Sequence, residues 1–277
     1  MSIATQNRYT ATFSTLKAQG HTAFMPFALL GWPTVPQCQQ LIDSLLASQP
    51  AALELGFPFS DPIADGPLLQ QAAGEALANG FTTAHAWELV THARTQAPHL
   101  PITLMAYYNL LLAQGIDVFC AQAAEAGADG ILVPDLPVEL AHELAPHLQR
   151  HGLQQVMMVT PLTDEARLQA MLPFAGGFWY VVSRLGVTGV EQRYDEQLAN
   201  TLQRLKRLSD LPACVGFGIS TPQHVQAMGA MGADGAITAS AIIQHLRQAG
   251  LDEASFTTQQ AWVRQYVAEM MTHGKPS

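Results

Sequence analysis

Three carboxylates lie close together in one short stretch of the chain, LELGFPFSDPIADGP at residues 53–67. Glu54 lies inside an apolar run, whereas Asp61 and Asp65 follow among three prolines and a glycine. Burial raises the pKa of a carboxyl group, so a buried Glu54 would suit general acid–base catalysis near neutral pH. Asp65 is a second candidate, although aspartate before glycine is also common in ordinary turns. If Glu54 instead faces outward between sheet and helices, it is only a salt-bridged or hydrated group.

Two glycine-containing stretches late in the chain predict a phosphate site. They are VGFGIS at 215–220, with Gly218, and GAITASAII at 235–243, with Ala239 and Ser240. Each comes at the end of a predicted strand, where backbone amides and the positive end of a helix bind phosphate in many barrels. Glycines at strand ends also occur simply to allow tight turns, so the prediction depends on the two stretches together.

A long polar stretch, SRLGVTGVEQRYD at 183–195, follows the sixth predicted strand. Its length predicts a lid that excludes water from a reactive intermediate, with an ordinary surface loop as the alternative. The lysines, Lys17, Lys206 and Lys275, lie away from the predicted strand ends. This disfavours Schiff-base chemistry and an enzyme that itself uses pyridoxal phosphate. The remaining candidates indicate acid–base chemistry without a metal ion, on a phosphorylated substrate.

Eight short apolar runs bounded by glycine or proline alternate with segments of helical period, which predicts a barrel of parallel strands. The runs lie at 24–30, 52–56, 102–106, 130–133, 155–160, 177–182, 213–217 and 235–238. We expect residues 1–277 to form a single (βα)8 TIM barrel domain. Its expected parts are an N-terminal helix at about 8–19, the barrel at about 22–250 and a trailing helix at about 256–272. An open doubly wound sheet is the alternative, but no GxGxxG motif follows the first run.

The composition narrows the possible partners and location. The chain has 13 Lys and Arg against 22 Asp and Glu, a net charge of −9, and it has no basic stripe, so a nucleic-acid partner is disfavoured. Cys38, Cys120 and Cys214 lack the spacing of a disulfide framework or a zinc site, which indicates a reducing cytoplasm. Because no segment approaches the roughly 18 apolar residues of a membrane span, we expect a soluble cytoplasmic protein without a membrane partner.

Six motifs carry a resemblance to a known family: LELGFPFSDPIADGP at 53–67, YYN at 107–109, PDLPVE at 134–139, SRLGVTG at 183–189, GFGIS at 216–220 and ASAI at 239–242. In collinear order, from about Phe13 to Leu246, the chain resembles the α subunit of tryptophan synthase. The resemblance implies a (βα)8 barrel that cleaves indole-3-glycerol phosphate to indole and glyceraldehyde 3-phosphate in L-tryptophan biosynthesis. It also implies a β-subunit partner in an α2β2 heterotetramer. Pyridoxal phosphate would belong to that partner, and this chain would need no cofactor.

The resemblance also assigns roles to individual residues. Glu54 would protonate indole C3 and take a proton from the side-chain hydroxyl, while Asp65 would accept the indole N–H and stabilise positive charge. The other implied positions are Phe27, Tyr107, Tyr180 and Phe217 in the substrate pocket; Gly189, Gly218, Ala239 and Ser240 at the phosphate; Arg184 and Thr188 in the lid; and Asp61, Pro62, Asn109, Asp135 and Pro137 at the partner interface or in signalling. No metal ligand is implied.

Three positions depart from the family pattern. Trp32 stands where the family usually has aspartate and Ala113 where it has asparagine, both near the expected partner interface. Ala239 stands where glycine is frequent beside the phosphate, so its methyl group could crowd that site. These departures leave two alternatives open: an indole-forming lyase that works without a β partner, and a catalytically silent regulatory barrel.

Overall fold

The computed structural model describes residues 7–182 and 191–272. Eight parallel strands follow one another around a closed barrel, and the last pairs with the first. They are β1 (Ala23–Leu29), β2 (Leu53–Gly56), β3 (Ile102–Met105), β4 (Gly130–Leu132), β5 (Gln154–Val159), β6 (Trp179–Val182), β7 (Ala213–Gly216) and β8 (Gly235–Thr238). The predicted TIM-barrel fold is confirmed, and a strand overlaps each of the eight apolar runs.

Twelve α-helices lie in the described parts of the chain, together with a short 3₁₀ helix at Val138–Leu140. They are α1 (Arg8–Ala18), α2 (Val35–Ala47), α3 (Pro67–Ala78), α4 (Thr83–Gln96), α5 (Tyr108–Gln114), α6 (Ile116–Ala126), α7 (Ala141–Arg150), α8 (Glu165–Met171), α9 (Glu191–Leu208), α10 (Pro222–Ala230), α11 (Ser240–Ala249) and α12 (Glu253–Thr272). None of these described helices has the length and apolar character needed to cross a membrane.

Local capping signals define several helix ends. The side chains of Thr34 and Thr221 accept hydrogen bonds from the first turns of α2 and α10, and a proline follows within two residues of each. Such residues satisfy or remove backbone N–H groups that have no partner inside the helix. Helix α6 shows a signal at its carboxyl end: it is followed by Gly127, which takes the left-handed conformation with φ of 98°. These short-range interactions explain why helix boundaries can be predicted from sequence.

The strand register places Phe27, Glu54 and Thr103 side by side on β1, β2 and β3. At the amino-terminal end of the barrel, the buried hydroxyl of Tyr9 from α1 lies 2.8 Å from Thr103 Oγ1. Gly177 allows this packing, because a Cβ atom there would lie 3.2 Å from the Tyr9 ring. Helix α1 therefore packs against this end of the barrel, and the candidate site lies at the opposite end.

Candidate active site

A cavity of about 110 Å³ lies at the carboxyl end of the barrel. It brings together Glu54, from β2, and Asp65, from the loop after β2. Six other residues predicted from the sequence also line this cavity: Phe27, Tyr180, Phe217, Gly218, Ala239 and Ser240. The carboxyl ends of parallel strands are where barrel enzymes place their reacting groups.

Glu54 is buried inside the barrel, with a relative exposure of 1%, and it faces the cavity rather than the helical layer. Its Oε1 atom has no hydrogen-bond partner among the residues that the structure describes. Burial, and secondarily the charge of Asp65, raises the pKa of Glu54 from 4.5 to about 8. The carboxyl group is therefore mainly protonated at neutral pH and can donate its proton into the cavity.

Asp65 is held by a tyrosine that lies behind it. The Tyr107 hydroxyl donates to Asp65 Oδ2 at 3.0 Å and accepts from the backbone N–H of Ala64 at 3.1 Å. Phe59 stacks on the Tyr107 ring, with centroids 5.0 Å apart. Burial raises the pKa of Asp65 to about 6, although the hydrogen bond from Tyr107 opposes this rise. Tyr107 was predicted in the substrate pocket; in the structure its hydroxyl group holds Asp65, which lines the cavity.

Two aromatic rings from neighbouring strands meet at the cavity. Tyr180 of β6 and Phe217, which follows β7, pack edge to face with ring centroids 6.3 Å apart. Gly216 permits this approach, because a Cβ atom at that position would overlap the Tyr180 hydroxyl. Phe217 has φ of 73°, a left-handed conformation that is uncommon for a bulky residue. Backbone strain of this kind is concentrated at functional sites, and here it accompanies an aromatic ring at the cavity.

The other side of the cavity is formed by Gly218, Ala239 and Ser240. Helix α11 begins at Ser240, and Ala239 is its N-cap residue. Among the described residues, no side chain forms a capping hydrogen bond at this position. Amides in the first helical turn lack partners inside the helix, so they are available to a ligand. Ala239 has φ of −120°, which alanine adopts without strain. Its methyl group is therefore compatible with the backbone at this turn.

The residues predicted at a partner surface lie at the same end of the barrel, in segments after β2, β3 and β4: Asp61, Pro62, Asn109, Asp135 and Pro137. Pro62 is buried, whereas Asp61, Asn109 and Pro137 are exposed. Asp135 Oδ1 accepts the backbone N–H of Tyr108 at 2.8 Å, at the start of α5.

The sequence reasoning missed two exposed apolar residues on this face. Ile63, after β2, is 80% exposed, and Leu162, after β5, is 87% exposed. Large exposed apolar side chains often mark interaction surfaces. No sequence pattern distinguished them, because an isolated apolar residue in a loop is equally consistent with burial.

Two further sets of residues were predicted, one at the lid and phosphate site and one near the partner interface. Arg184, Thr188 and Gly189, in the predicted lid and phosphate site, lie outside the described residues. Trp32 was expected near a partner interface; its side chain is fully buried within this chain and donates a hydrogen bond to Glu75, and its nearness to a partner stays a prediction. Within the described ranges, no group of three or more His, Cys, Asp or Glu side chains is arranged to hold a metal ion.

Comparison with known proteins agrees with this geometry. The family model described as the tryptophan synthase alpha chain matches residues 13–272. The chain belongs to this family. A tryptophan synthase alpha chain from Chloroflexus aggregans is 41% identical over 263 residues, covering 95% of this chain and 97% of the relative. One from Shewanella baltica is 40% identical over 247 residues, covering 89% of this chain and 90% of the relative.

Solved structures of the tryptophan synthase family give the same result. The alpha subunit from Legionella pneumophila is similar with a TM-score of 0.84 and 33% identity, over 97% of this chain and 98% of that chain. A chain of the tryptophan synthase complex from Pyrococcus furiosus has a TM-score of 0.79 and 32% identity, over 91% and 98% of the two chains. The predicted family is confirmed, and these findings support an α-subunit lyase over the two alternatives.

Proposed function

We propose that this chain cleaves indole-3-glycerol phosphate to indole and glyceraldehyde 3-phosphate by a retro-aldol reaction, as the α subunit of tryptophan synthase. One observation carries the proposal: a single cavity contains a buried acid with a pKa of about 8 and a second acid with a pKa of about 6. Environments that separate two acids in this way commonly assign them different roles. The chemistry is acid–base catalysis by side chains, without a metal ion or a cofactor in this chain.

The first step requires a proton at indole C3, because the ring must accept the electrons of the breaking carbon–carbon bond. Glu54 carries a proton at neutral pH and faces the cavity, so it serves as the general acid. Proton transfer to C3 produces a cationic indoleninium and leaves Glu54 as a carboxylate.

Asp65 stabilises that cation. At neutral pH it is mainly ionised, and its carboxylate accepts the indole N–H while Tyr107 holds its Oδ2 atom. One well-aimed group of this kind stabilises a charged transition state by roughly 2 to 4 kcal/mol. Tyr180 and Phe217 supply aromatic contacts for the indole ring.

The second step returns the proton. The Glu54 carboxylate accepts the proton of the side-chain hydroxyl as that carbon becomes the aldehyde and its bond to indole C3 breaks. The electrons of this bond neutralise the indoleninium, so indole leaves as a neutral molecule. Glu54 is then protonated again and ready for the next turnover.

The phosphate group is proposed to bind at the opposite side of the cavity. Gly218, Ala239 and Ser240 line this side, and the positive end of α11 favours an anion. Gly189 is proposed as a further phosphate contact. Arg184 and Thr188 are proposed to belong to a lid over the cavity, with Thr188 reaching Asp65 on closure.

A β subunit is the proposed partner, in an α2β2 complex in which pyridoxal phosphate belongs to the β chain. Similarity to a chain of a tryptophan synthase complex supports this proposal. So do the exposed Ile63 and Leu162, which lie at the same end of the barrel as Asp61, Asn109 and Pro137. We further propose that residues 1–277 act as one domain in the cytoplasm, where the described cysteines would remain the buried thiols observed.

Indole release from purified protein tests the function directly. The chain is incubated with indole-3-glycerol phosphate, alone and with a cognate β chain, and indole is measured. We expect faster release with the β chain, and almost none from Glu54→Gln in either condition. Glu125→Gln, at an exposed position on α6, is the matched control and should retain activity. Folded wild-type protein that releases no indole in either condition would reject the proposal.

A further inference from the structure

Three side chains outside the cavity form a cluster that joins separate parts of the site. Trp32 lies after β1, Glu75 lies in α3 and Arg247 lies in α11. Trp32 Nε1 donates to Glu75 Oε2 at 2.9 Å, and Arg247 Nη2 donates to the same oxygen at 2.6 Å. The Arg247 guanidinium carbon also lies 5.5 Å from the centroid of the Trp32 ring. Each member therefore contacts both of the others.

The cluster connects the two helices whose amino-terminal ends lie at the cavity. Helix α3 follows directly after Asp65 and Gly66, and both of these residues line the cavity. Helix α11 begins at Ser240, which lines the cavity as well. The two helices also pack against each other. Glu75 and Arg247 lie toward the distant ends of these helices. A tilt at the cluster would therefore change the spacing between the two cavity ends.

The geometry of the cluster is restrained by charge and burial. The side chains of Arg247 and Glu75 are 18% and 34% exposed, and Trp32 is fully buried. Burial raises the pKa of Glu75, but hydrogen bonds from Trp32 and Arg247 outweigh it and leave this pKa below its ordinary value. Charge-assisted hydrogen bonds of this kind are short and directional. An aspartate at position 32 could not donate a hydrogen bond as the Trp32 indole does.

We propose that Trp32, Glu75 and Arg247 are positioning residues that fix the spacing between Asp65 and the phosphate end of the cavity. The inference rests on the proposed function, since only a substrate that reaches both ends at once is sensitive to that spacing. Positioning errors of about 1 Å can reduce turnover by about 100-fold. The cluster would therefore affect kcat as well as KM.

Trp32→Phe is the principal test, because it removes the N–H donor, keeps an aromatic ring and leaves the net charge unchanged. We expect kcat/KM for indole-3-glycerol phosphate to fall by about tenfold or more, with kcat contributing to the loss. Binding of glycerol 3-phosphate, measured by calorimetry, should weaken as α11 shifts. Arg247→Met should show a similar loss, and Arg247→Lys, which keeps one charged donor, should recover part of it.

Lys206→Gln is the matched control for Arg247→Met, because each substitution removes one positive charge. Lys206 lies on α9 and pairs at 3.9 Å with Asp234, next to the amino-terminal end of β8 and away from the cavity. We expect this variant to stay within about twofold of wild type, as is usual for surface substitutions. A long-range effect of charge on the phosphate would appear in this control as well.

Two results would overturn the positioning role. One is that Trp32→Phe and Arg247→Met both remain within about twofold of wild type in kcat/KM and glycerol 3-phosphate affinity. The other is that the loss of activity in each variant is explained by its loss of melting temperature alone. Arg247→Lys would then recover activity only as far as it recovers stability. Wild-type protein that makes no indole would reject the proposed function instead. In that case calorimetry with glycerol 3-phosphate would still decide whether the cluster positions α11.

Discussion

Glu54→Gln should make the protein more stable at alkaline pH while abolishing catalysis. The pKa of Glu54 is raised in the folded state, so folding opposes ionisation of this group. Its contribution to stability is fully present below pH 4.5 and is lost as pH rises toward and through about 8. Glutamine has nearly the same shape and stays neutral, so the variant escapes this loss.

The size of the effect follows from the shift in pKa from 4.5 to about 8. Each pKa unit corresponds to about 1.4 kcal/mol, which gives about 5 kcal/mol in favour of the variant at pH 9. At pH 5, where wild-type Glu54 is neutral when folded and mostly ionised when unfolded, the same linkage gives about 1 kcal/mol. The difference in the free energy of unfolding between wild type and Glu54→Gln should therefore grow strongly with pH.

Urea titrations of wild type and variant at pH 5, 7 and 9 measure these free energies of unfolding. Glu125→Gln, at an exposed position, is the control and should differ from wild type by less than about 0.5 kcal/mol at each pH. If Glu54→Gln increases the free energy of unfolding by the same amount at pH 5 and pH 9, burial does not raise the pKa of Glu54. The acid role assigned to it would then lose its physical basis.

Three further predictions concern the cavity. The profile of kcat/KM against pH should be bell-shaped, falling below about pH 6 as Asp65 is protonated and above about pH 8 as Glu54 ionises; a flat profile would contradict these roles. Tyr107→Phe removes the hydrogen bond that lowers the pKa of Asp65, so the acidic limb should move to higher pH, and an unmoved limb would disprove this support. Gly216→Ala should destabilise the protein by about 1 to 3 kcal/mol in urea titrations and reduce activity, because its methyl group overlaps Tyr180. Gly74 lies on α3, and a methyl group added there would have no atom within 4 Å. Gly74→Ala should therefore be neutral or stabilising by up to about 1 kcal/mol.

The barrel could be predicted because its signals are local. Alternation of apolar runs with helical segments depends on neighbouring residues, as do caps such as Thr34 and Thr221. The order of strands then follows from the preference of parallel strand–helix units for adjacent, right-handed connections. The motif at 53–67 contains both acids, so the sequence alone identifies Glu54 and Asp65 as candidates.

Some features of the site could not be predicted from the sequence, because they depend on contacts between distant residues. The burial of Trp32 was not predicted, because its hydrogen-bond partner, Glu75, lies 43 residues later in the chain. The supporting role of Tyr107 was missed because its partner, Asp65, lies 42 residues earlier in the chain. The exposure of Ile63 and Leu162 likewise depends on which loop surfaces remain uncovered after folding.

The sequence by itself determined the strands, the fold class and the residue types available for catalysis, since these follow from periodicity and local backbone chemistry. Only the tertiary structure decided that Glu54 faces the barrel interior and shares a cavity with Asp65. The physical reason is that a carboxyl group acquires its pKa from the water that folding removes and from the charges that folding brings near. Neither quantity exists until the barrel closes.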